Sequence, residues 1–567
     1  MTAAAPAATT AKPHGSGGLI RSSMIYSSLT LVSRLMGFVR DLVISYAMGA
    51  SATFAADAFN TAWSFPNLFR RIFAEGAFAA AFVPAYSRSL EQDGEETADI
   101  LAADAMALLA AATLALSTVF ALAMPWLMYA IAPGFAKIPA KFHLAIVLTQ
   151  ITIWYLPCMA IYAHLSGVLN ARNRFILSAG APILLNLWTL VTVLPTHTPA
   201  GAASMASWGV LAAGVSQALL LMWGVKKSGA RVDWRIPRIT PEITALIRRA
   251  VPGALAASAI QVNIFISGIL VSQVNGARSW LAVADRLYQL PLGLVGVAIG
   301  VALLPRLSRA VHAKDGPAAQ SAMDEAVTFA MALSLPAAAA LIAIPFFLID
   351  GLYTRGEFRV IDAQQTAHAL FYYGIGTPAF VLAQLYSRAF FARQDTKSPM
   401  IFALVSVAVN IVVGVALVYS VGFWGIAAAT ATAAWLNVGQ MAFTLGKRGH
   451  YRPSARAWSR LIRIFLASAV LGIVLAVIQH FRPEIQSLFK GFHVGRRLVG
   501  AKELAIMLTC LAGAALYPPL LFAFGGLRLS QVKAALRRRA PREPLQHELD
   551  EEIEEDLGKT PAGPDLL

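Results

Sequence analysis

The amino-acid sequence predicts an all-α polytopic membrane protein with about fourteen transmembrane helices. Of its 567 residues, 57% are hydrophobic and only 13% are charged, about half the charged fraction of a soluble domain. The mean hydropathy is +0.62, and the apolar residues form runs of about 20 residues, the length that a helix needs to cross a bilayer. A soluble protein with one very large helical core is the alternative that this low charge disfavours.

Fourteen hydrophobic segments can be counted along the chain. Their approximate spans are 23–48, 55–85, 101–132, 142–170, 176–195, 203–225, 243–273, 279–309, 322–352, 366–391, 399–420, 423–445, 458–480 and 502–526. Residues 1–20 are rich in Ala, Thr, Pro, Ser and Gly and lack a signal-peptide core, so they are predicted to be a disordered lead-in. Residues 527–567 are predicted to be a cytoplasmic tail, because a basic stretch is followed by the acidic run 548–556.

Lys and Arg are concentrated in alternate loops, and this bias predicts the orientation of the chain. The richer loops contain Arg172, Arg174, Lys226, Lys227, Arg231, Arg235, Arg238, Arg306, Arg309, Lys314, Arg393, Lys397, Lys447, Arg448, Arg452, Arg456 and Arg460. The other loops are poorer in positive charge, although 133–141 contains Lys137 and Lys141. With an even number of segments, both termini are expected to be cytoplasmic. The net charge of +16 is therefore interpreted as a topology signal, and no nucleic-acid partner is predicted.

An internal repeat relates the two halves of the chain. The segment 84–88 (PAYSR) aligns with 305–309 (PRLSR), and at the same offset Ser166 aligns with Ser387 and Arg172 with Arg393. This offset spans six segments, so the halves share one orientation and are related by an axis along the membrane normal. The repeat predicts two six-helix lobes, 21–226 and 239–446, followed by a terminal helix pair, 457–526. Two lobes around a cavity are typical of a transporter, and duplication without transport is the alternative.

Charged residues inside three of the segments are the candidates for function. A charge at the bilayer centre costs roughly 2.5–3.5 kcal/mol on insertion scales, so it is kept only where it is paired or faces a wet cavity. The acidic and basic residues concerned are Arg34, Arg40 and Asp41 in the first segment, Arg70, Arg71 and Glu75 in the second, and Asp285 and Arg286 in the eighth. Arginine stays ionised and binds phosphate bidentately, so several arginines around one cavity would hold a diphosphate.

Structural explanations compete with this interpretation of the charged residues. Arg71 and Glu75 are spaced to pair along one helix, and Asp41 and Asp285 could neutralise neighbouring arginines in the same way. Pro66 is expected to kink the second segment, and Gly37 leaves room for bending or for close helix packing. The sequence contains no nucleophile–base arrangement, phosphate-binding Gly loop, ATP motif or metal-ligand spacing, so neither an enzyme, a cofactor nor a metal site is predicted.

Several motifs together resemble a known family. These are 33–41 (SRLMGFVRD), 66–78 (PNLFRRIFAEGAF), 82–84 (FVP), 132–135 (APGF), 170–175 (NARNRF), 284–286 (ADR), 303–305 (LLP) and 392–399 (ARQDTKSP). They are similar to the motifs of the MurJ (MviN) lipid II flippases of the MOP exporter superfamily, and the resemblance extends from about residue 20 to 525. The motif in the second segment is long and specific, whereas other members of the superfamily share only the lobes.

The resemblance implies a fold and an activity. The family has fourteen helices and moves undecaprenyl-diphosphate-MurNAc-pentapeptide-GlcNAc, or lipid II, to the outer leaflet of the bacterial inner membrane by alternating access. It implies that Arg34, Arg40, Arg70 and Arg286 bind the head group, that Asp57 lies near the outer end of the cavity, and that Glu75 supports the closing helices. The terminal helix pair would hold the lipid tail, and the bilayer and cell-wall synthesis proteins would be partners.

The resemblance also implies a driving force. The family is driven by membrane potential, and some members bind sodium in the second lobe. Here the apolar stretches of segments 7 and 11 contain no Asp or Glu, and only Asn263 and Asn410 are available. Two other functions remain open: export of another undecaprenyl-diphosphate-linked glycan or of drugs in the manner of MATE transporters, and a scaffold role in cell-wall synthesis without transport.

Overall fold

The computed structural model describes residues 16–73, 77–172, 174–302, 304–490 and 500–526. Within these ranges the side chains of 16–27, 69–73, 77–80, 249, 252–262, 294–302 and 304–305 are not described. All regular secondary structure in the described ranges is helical, which confirms the predicted fold class. Most of the predicted lead-in 1–20 and the whole predicted tail 527–567 lie outside the described residues.

The first lobe is built from nine α-helices and one 3-10 turn. They are α1 (Ser16–Met48), α2 (Ala55–Phe73), α3 (Ala77–Gln92), α4 (Glu95–Ile131), the 3-10 turn Pro133–Lys137, α5 (Pro139–Thr152), α6 (Tyr155–Ala171), α7 (Phe175–Gly180), α8 (Pro182–Val193) and α9 (Pro199–Lys227). Proline at the first turn starts α5, α8 and α9 without the loss of a hydrogen bond. Thr198 also caps α9, because its hydroxyl accepts a hydrogen bond from the Gly201 amide.

The second lobe and the terminal helices continue in the same manner. They are α10 (Pro241–Val271), α11 (Ala277–Ala302), α12 (Leu304–His312), α13 (Gly316–Ala343), α14 (Pro345–Tyr353), α15 (Val360–Phe391), α16 (Lys397–Val421), α17 (Gly425–Lys447), α18 (Ala455–His480), α19 (Arg482–Ser487) and α20 (Ala501–Ala523). Within the described ranges, eight helices or joined helices are long and apolar enough to cross a membrane. The total of fourteen spans stays a prediction.

The helices of the second lobe repeat those of the first at the offset predicted from the sequence. The alignment that sets residue 305 on residue 84 also sets the start of α13 on the start of α4, and the start of α15 on that of α5. A tertiary contact is repeated too. The Arg231 amide donates to Asp99 Oδ2 at 2.7 Å, and the Arg452 amide donates to Gln320 Oε1 at 3.4 Å. Both the donors and the acceptors of these two contacts are equivalent in the alignment, so the repeat is a structural one.

The two ends of the helical bundle differ in how the lobes meet. We call one end the Asp57 end; there α1, α4 and α10 end and α2, α5, α11 and α15 begin. The opposite end, where α6 ends at Ala171, is the Arg172 end. At the Asp57 end loops of the two lobes contact each other directly, since the Glu357 amide donates to Tyr46 O at 3.0 Å. At the Arg172 end, Ile243 and Leu246 of α10 pack into a core cluster of the first lobe.

The terminal helices are attached to the second lobe by packing and by charge. Helix α18 packs against α13, and α20 packs against α14 and α18. Near the start of α20, Lys502 Nζ donates to Asp350 Oδ1 at 2.8 Å, and Arg355 pairs with Glu503 at 3.1 Å. In the first of these pairs the Asp350 side chain is 3% exposed, whereas that of Lys502 is 39% exposed. The use of α18 and α20 as a lipid-tail groove stays a prediction.

Candidate substrate-binding cavity

A cavity of about 230 Å³ lies between the lobes. Helices α1 and α2 of the first lobe and α11 of the second supply most of its wall. Its charged lining residues are Arg40, Asp41, Asp285 and Arg286, and its polar ones include Asn60, Asn67 and Gln289. Two arginines and two aspartates line it, so the described wall is balanced in charge. The sequence had predicted an excess of arginine.

Asp41 joins the arginines of the two lobes. Arg40 donates to Asp41 Oδ1 from Nε at 3.1 Å and from Nη2 at 2.7 Å. Arg286, from the opposite lobe, donates to Asp41 Oδ2. The alternative explanation paired Arg286 within its own helix, but Arg286 pairs across the cavity, while Asp285 accepts a hydrogen bond from Gln289. Arg286 remains 38% exposed at its side chain, so a ligand in the cavity can reach it.

Arg34 lies beside the second lobe. A side-chain carbon placed on Gly293 would collide with Nη1 of Arg34, which shows that the guanidinium rests against α11. Arg34 is exposed, and no ion pair joins it to any carboxylate in the described part of the chain. About one turn further along α1, Gly37 is buried against the side chain of Asn186. That contact favours the close-packing explanation for Gly37.

The charged residues of the second segment cannot be placed in the site. The side chains of Arg70 and Arg71, and the whole of Glu75, lie outside the described residues, so their predicted roles stay predictions. Pro66 lies inside α2, which continues to Phe73. The predicted segment 55–85 corresponds to α2 and the first part of α3, and residues 74–76 between them lie outside the described residues.

Asp57 is sealed between the lobes at the Asp57 end, just beyond the cavity. It is fully buried, and its Oδ2 accepts from Lys141 Nζ at 2.6 Å and from the Gly276 amide at 2.8 Å. Its Oδ1 accepts from the amide and the hydroxyl of Ser279 at 3.0 and 2.8 Å. Asp57 therefore caps the start of α11 from the other lobe, and neither oxygen is available to a substrate in this state.

Lys141 and Tyr353 were missed by the sequence analysis. Lys141 was assigned to a loop, but it lies in the first turn of α5 and is 1% exposed. Its amine also donates to Asn275 Oδ1 at 3.0 Å and lies 4.1 Å from the Phe135 ring centroid. Tyr353 lines the cavity, where its ring packs edge-on against Phe38. The signal for Lys141 was the presence of two lysines, Lys137 and Lys141, in one of the loops that are otherwise poor in positive charge. No feature of the sequence indicated Tyr353.

The residues of α10 and α16 do not fit a carboxylate-based sodium site. Asn410 is buried, and Asn263 Oδ1 is buried without a hydrogen-bond partner among the described residues. The only acidic residue in these two helices is Glu242, in the first turn of α10. Across the described residues, no group of three or more His, Cys, Asp or Glu could hold a metal. We therefore assign no step to a sodium ion.

Two repeated helical lobes around an arginine-containing cavity define a membrane transporter of the two-lobe exporter class. A family model described as "Lipid II flippase MurJ" matches residues 44–495. A relative from Rhizobium meliloti, named probable lipid II flippase MurJ, is 36% identical over 528 residues, which cover 92% of this chain and 97% of the relative. The chain belongs to the MurJ lipid II flippase family.

Solved structures share the same fold. The structure of lipid II flippase MurJ in an inward closed conformation superposes with a TM-score of 0.72 at 23% identity, covering 88% of this chain and 98% of the other. An inward-facing multidrug resistance MATE transporter of the MOP superfamily superposes with a TM-score of 0.61 at 15% identity, covering 75% of this chain and 98% of the other. At these identities the likeness concerns the fold alone.

Proposed function

We propose that this protein is a flippase that carries lipid II from the inner to the outer leaflet of the bacterial inner membrane by alternating access. The observation that carries the proposal is the position of Arg40 and Arg286 on opposite walls of one cavity, both bonded to Asp41. The chain acts as a transporter and not as an enzyme, because the cavity groups bind an anion and leave its bonds intact.

Asp41 acts as a resident counterion that a diphosphate displaces. A guanidinium binds phosphate oxygens in the same forked geometry with which it binds a carboxylate. A diphosphate entering between Arg40 and Arg286 thus offers both arginines the acceptors that Asp41 provides in this state. Because the Asp41–Arg286 pair joins α1 to α11, its replacement also removes a bond between the lobes, so binding of the cargo prepares their movement.

Only the head group of the cargo requires the cavity. The undecaprenyl chain is apolar and remains in the bilayer, whereas the diphosphate, sugars and peptide cannot enter hydrocarbon. The cavity of about 230 Å³ is below the roughly 300–1,000 Å³ of ordinary small-molecule sites. The lobes must therefore separate before a disaccharide pentapeptide is enclosed, and the structure represents a compact state of the cycle.

The Arg172 end is the cytoplasmic one in this proposal. Arg172, Arg393 and Arg448 lie in loops at this end, where the positive-inside rule places basic residues. Both termini then face the cytoplasm, and the Asp57 end faces the outside. Contacts of Asp57 with Gly276 and Ser279 close the outer side, so that cargo enters from within.

The test is complementation of a bacterium depleted of its own lipid II flippase, at matched expression of each variant. Wild type should restore growth, and Arg34→Ala, Arg40→Ala and Arg286→Ala should each fail to do so. Arg306→Ala is the matched control, because Arg306 pairs with Glu325 in an exposed position away from the cavity. Failure of wild type would indicate another lipid-linked cargo or a MATE-like exporter. Growth with all three cavity variants would reject diphosphate binding by these arginines.

A further inference from the structure

Four charged residues at the Asp57 end occupy equivalent positions in the repeat with opposite signs. The alignment that sets residue 305 on residue 84 places Arg278 where the first lobe has Asp57, and Asp362 where it has Lys141. Helices α5 and α15 begin at equivalent points, and α2 and α11 begin within one residue of equivalent points. Each lobe therefore presents one acid and one base on the same two helices, and the acid of one lobe stands where the base of the other stands.

The pair of the first lobe is formed in this state. Lys141 Nζ and Asp57 Oδ2 are 2.6 Å apart, and both side chains are at most 2% exposed. The two residues lie on α5 and α2, which pack against each other within one lobe. Separation of the lobes would break the contacts of Asp57 with Gly276 and Ser279 but would leave its ion pair with Lys141 intact.

The equivalent pair of the second lobe is not formed. Asp362 is fully buried, and its Oδ1 accepts from the amide of Ser51 at 3.0 Å and from the Ser51 hydroxyl, both across the lobe boundary. Arg278 donates across the boundary only to Ile131 O, at a long 3.5 Å. Its Nε and Nη1 are buried and have no hydrogen-bond partner in the described part of the chain. Asp362 is also held within its own lobe, since its Oδ2 accepts from the Arg359 amide at 2.9 Å, whereas Arg278 is poorly satisfied at the boundary.

We infer that Arg278 and Asp362 form an ion pair when the lobes separate at the Asp57 end, as the counterpart of Asp57–Lys141. The inference rests on the alternating-access function proposed above. Separation withdraws Ser51 from Asp362 and Ile131 from Arg278, so two opposite charges of the same lobe lose their contacts across the boundary together. Helices α11 and α15 already meet in the second lobe, because Trp280 Nε1 donates to Asp362 Oδ1 at 2.9 Å.

The lengths of the side chains support this exchange of partners. In the first lobe a short Asp on α2 meets a long Lys on α5. In the second lobe a long Arg on α11 and a short Asp on α15 occupy the equivalent positions, so the combined length of the two side chains is similar although the polarity is inverted. The protein then replaces hydrogen bonds between lobes by one ion pair within a lobe. Arg278 and Asp362 act as positioning residues, since they set the balance between two states without contacting the cargo.

The experiment measures how often the lobes are open at the Asp57 end. Spin labels are attached at His197→Cys and Ser420→Cys, two exposed sites at this end on different lobes, in a Cys158→Ala, Cys510→Ala background. Pulsed electron paramagnetic resonance of the full chain in nanodiscs, with and without lipid II, yields the ratio of long to short distances. A double-mutant cycle compares Arg278→Gln, Asp362→Asn and the double variant.

The cycle isolates the pair because each residue's separate effect on the closed state cancels. If the ion pair exists only in the open state, the effects of the two substitutions on the ratio of long to short distances should not be additive. The cycle should then give a coupling factor of about fivefold or more in favour of the open state. The matched control cycle, Asp57→Asn with Lys141→Gln, should show a coupling near one, because that pair is present in both states.

One result would reject only the ion pair, and another would reject alternating access as well. Additive effects of Arg278→Gln and Asp362→Asn, in a protein whose wild type does open and transports lipid II, would reject the ion pair and leave the flippase proposal standing. A single short distance in wild type under all conditions, together with failed complementation, would reject alternating access itself and the inference with it.

Discussion

At the scale of single residues, Asp41 decides the chemistry of the cavity. Its two oxygens hold Arg40 of one lobe and Arg286 of the other, so the arginines are neutralised until a stronger acceptor arrives. Hydrogen bonds to charged groups contribute roughly 1.5–3 kcal/mol each, and a diphosphate provides enough oxygens to replace those of Asp41. The same residue is thus both a competitor for the arginines and a link between the lobes.

Asp41→Asn is expected to tighten binding of lipid II. Removal of the carboxylate charge leaves Arg40 and Arg286 undercompensated, and a gain of about 1 kcal/mol corresponds to roughly fivefold in Kd. The affinity of purified protein for lipid II in nanodiscs measures this change. Asp285→Asn serves as the control, because Asp285 lines the same cavity but receives its hydrogen bond from Gln289; its effect should be smaller. Weaker binding of lipid II by Asp41→Asn would show instead that Asp41 orients the arginines.

The sequence predicted which charged residues lie within the membrane but not which residues they contact. Arg286 and Asp41 were both identified, because a charge in an apolar segment needs a partner or water. Their contact spans 245 residues of chain, and nothing in local spacing distinguishes it from pairing within a helix. Lys141 was misplaced for a related reason: composition marks the end of an apolar segment, whereas the burial of a lysine depends on Asp57 in another helix.

At the scale of helices, the contact of α1 with α11 controls where Arg34 lies. Gly293 has no side chain, and Nη1 of Arg34 occupies the space beside it. Hydropathy predicted both helices, since each contains a long apolar run. It could not predict the division of the fifth segment at Ala181, because this interruption lies within continuous apolar sequence.

Gly293→Ala is expected to reduce transport with little loss of stability. The added methyl group would displace the end of a flexible side chain, so the helices can stay in place while the guanidinium of Arg34 moves. Lipid II flipping in proteoliposomes should fall about tenfold, equivalent to roughly 1.4 kcal/mol, and the midpoint of thermal unfolding should shift by less than about 2 °C.

Gly439→Ala is the matched control for this substitution. It introduces the same methyl group into α17, where nothing lies within 4 Å, and it should transport at the wild-type rate. On an Arg34→Ala background Gly293→Ala should have no additional effect, because the two changes act on one contact. An equal loss of transport in Gly439→Ala, or additive losses with Arg34→Ala, would show that Gly293 matters through helix flexibility.

At the scale of the whole molecule, the repeat produces two similar lobes. The sequence differences between the lobes determine which charges meet where the lobes contact each other. The offset between the halves was evident from three short matches, and it was confirmed in the helix starts and in the contacts of Arg231 and Arg452. The inverted charges at the Asp57 end became visible only when the structure placed Lys141 and Asp362 at the lobe boundary. An exact repeat would have set like charges against each other there, which the exchange of acid and base avoids.

The charge of the cavity also determines how the membrane potential would act. The lining arginines and aspartates balance one another, and Arg34 beside them adds a positive charge. A bound diphosphate makes the loaded cavity negative, so an inside-negative potential favours outward movement of the cargo and inward return of the empty, positive cavity. Each unit charge that crosses the whole field contributes about 2.3 kcal/mol per 100 mV.

Transport by this protein should therefore depend on the membrane potential and not on sodium. Right-side-out vesicles with a valinomycin-clamped, inside-negative potassium potential should expose fluorescent lipid II on the outer leaflet several-fold faster than vesicles at zero potential. If return of the empty cavity limits the rate, Arg34→Ala should reduce that ratio, because it removes the positive charge that the potential draws inward. Replacement of sodium by choline at constant potential should leave the rate unchanged, since α10 and α16 provide no acidic residue beyond Glu242 at the start of α10. A rate that follows sodium and ignores the potential would assign the driving force to a cation site made of neutral oxygens, with Asn263 and Asn410 as the first residues to replace.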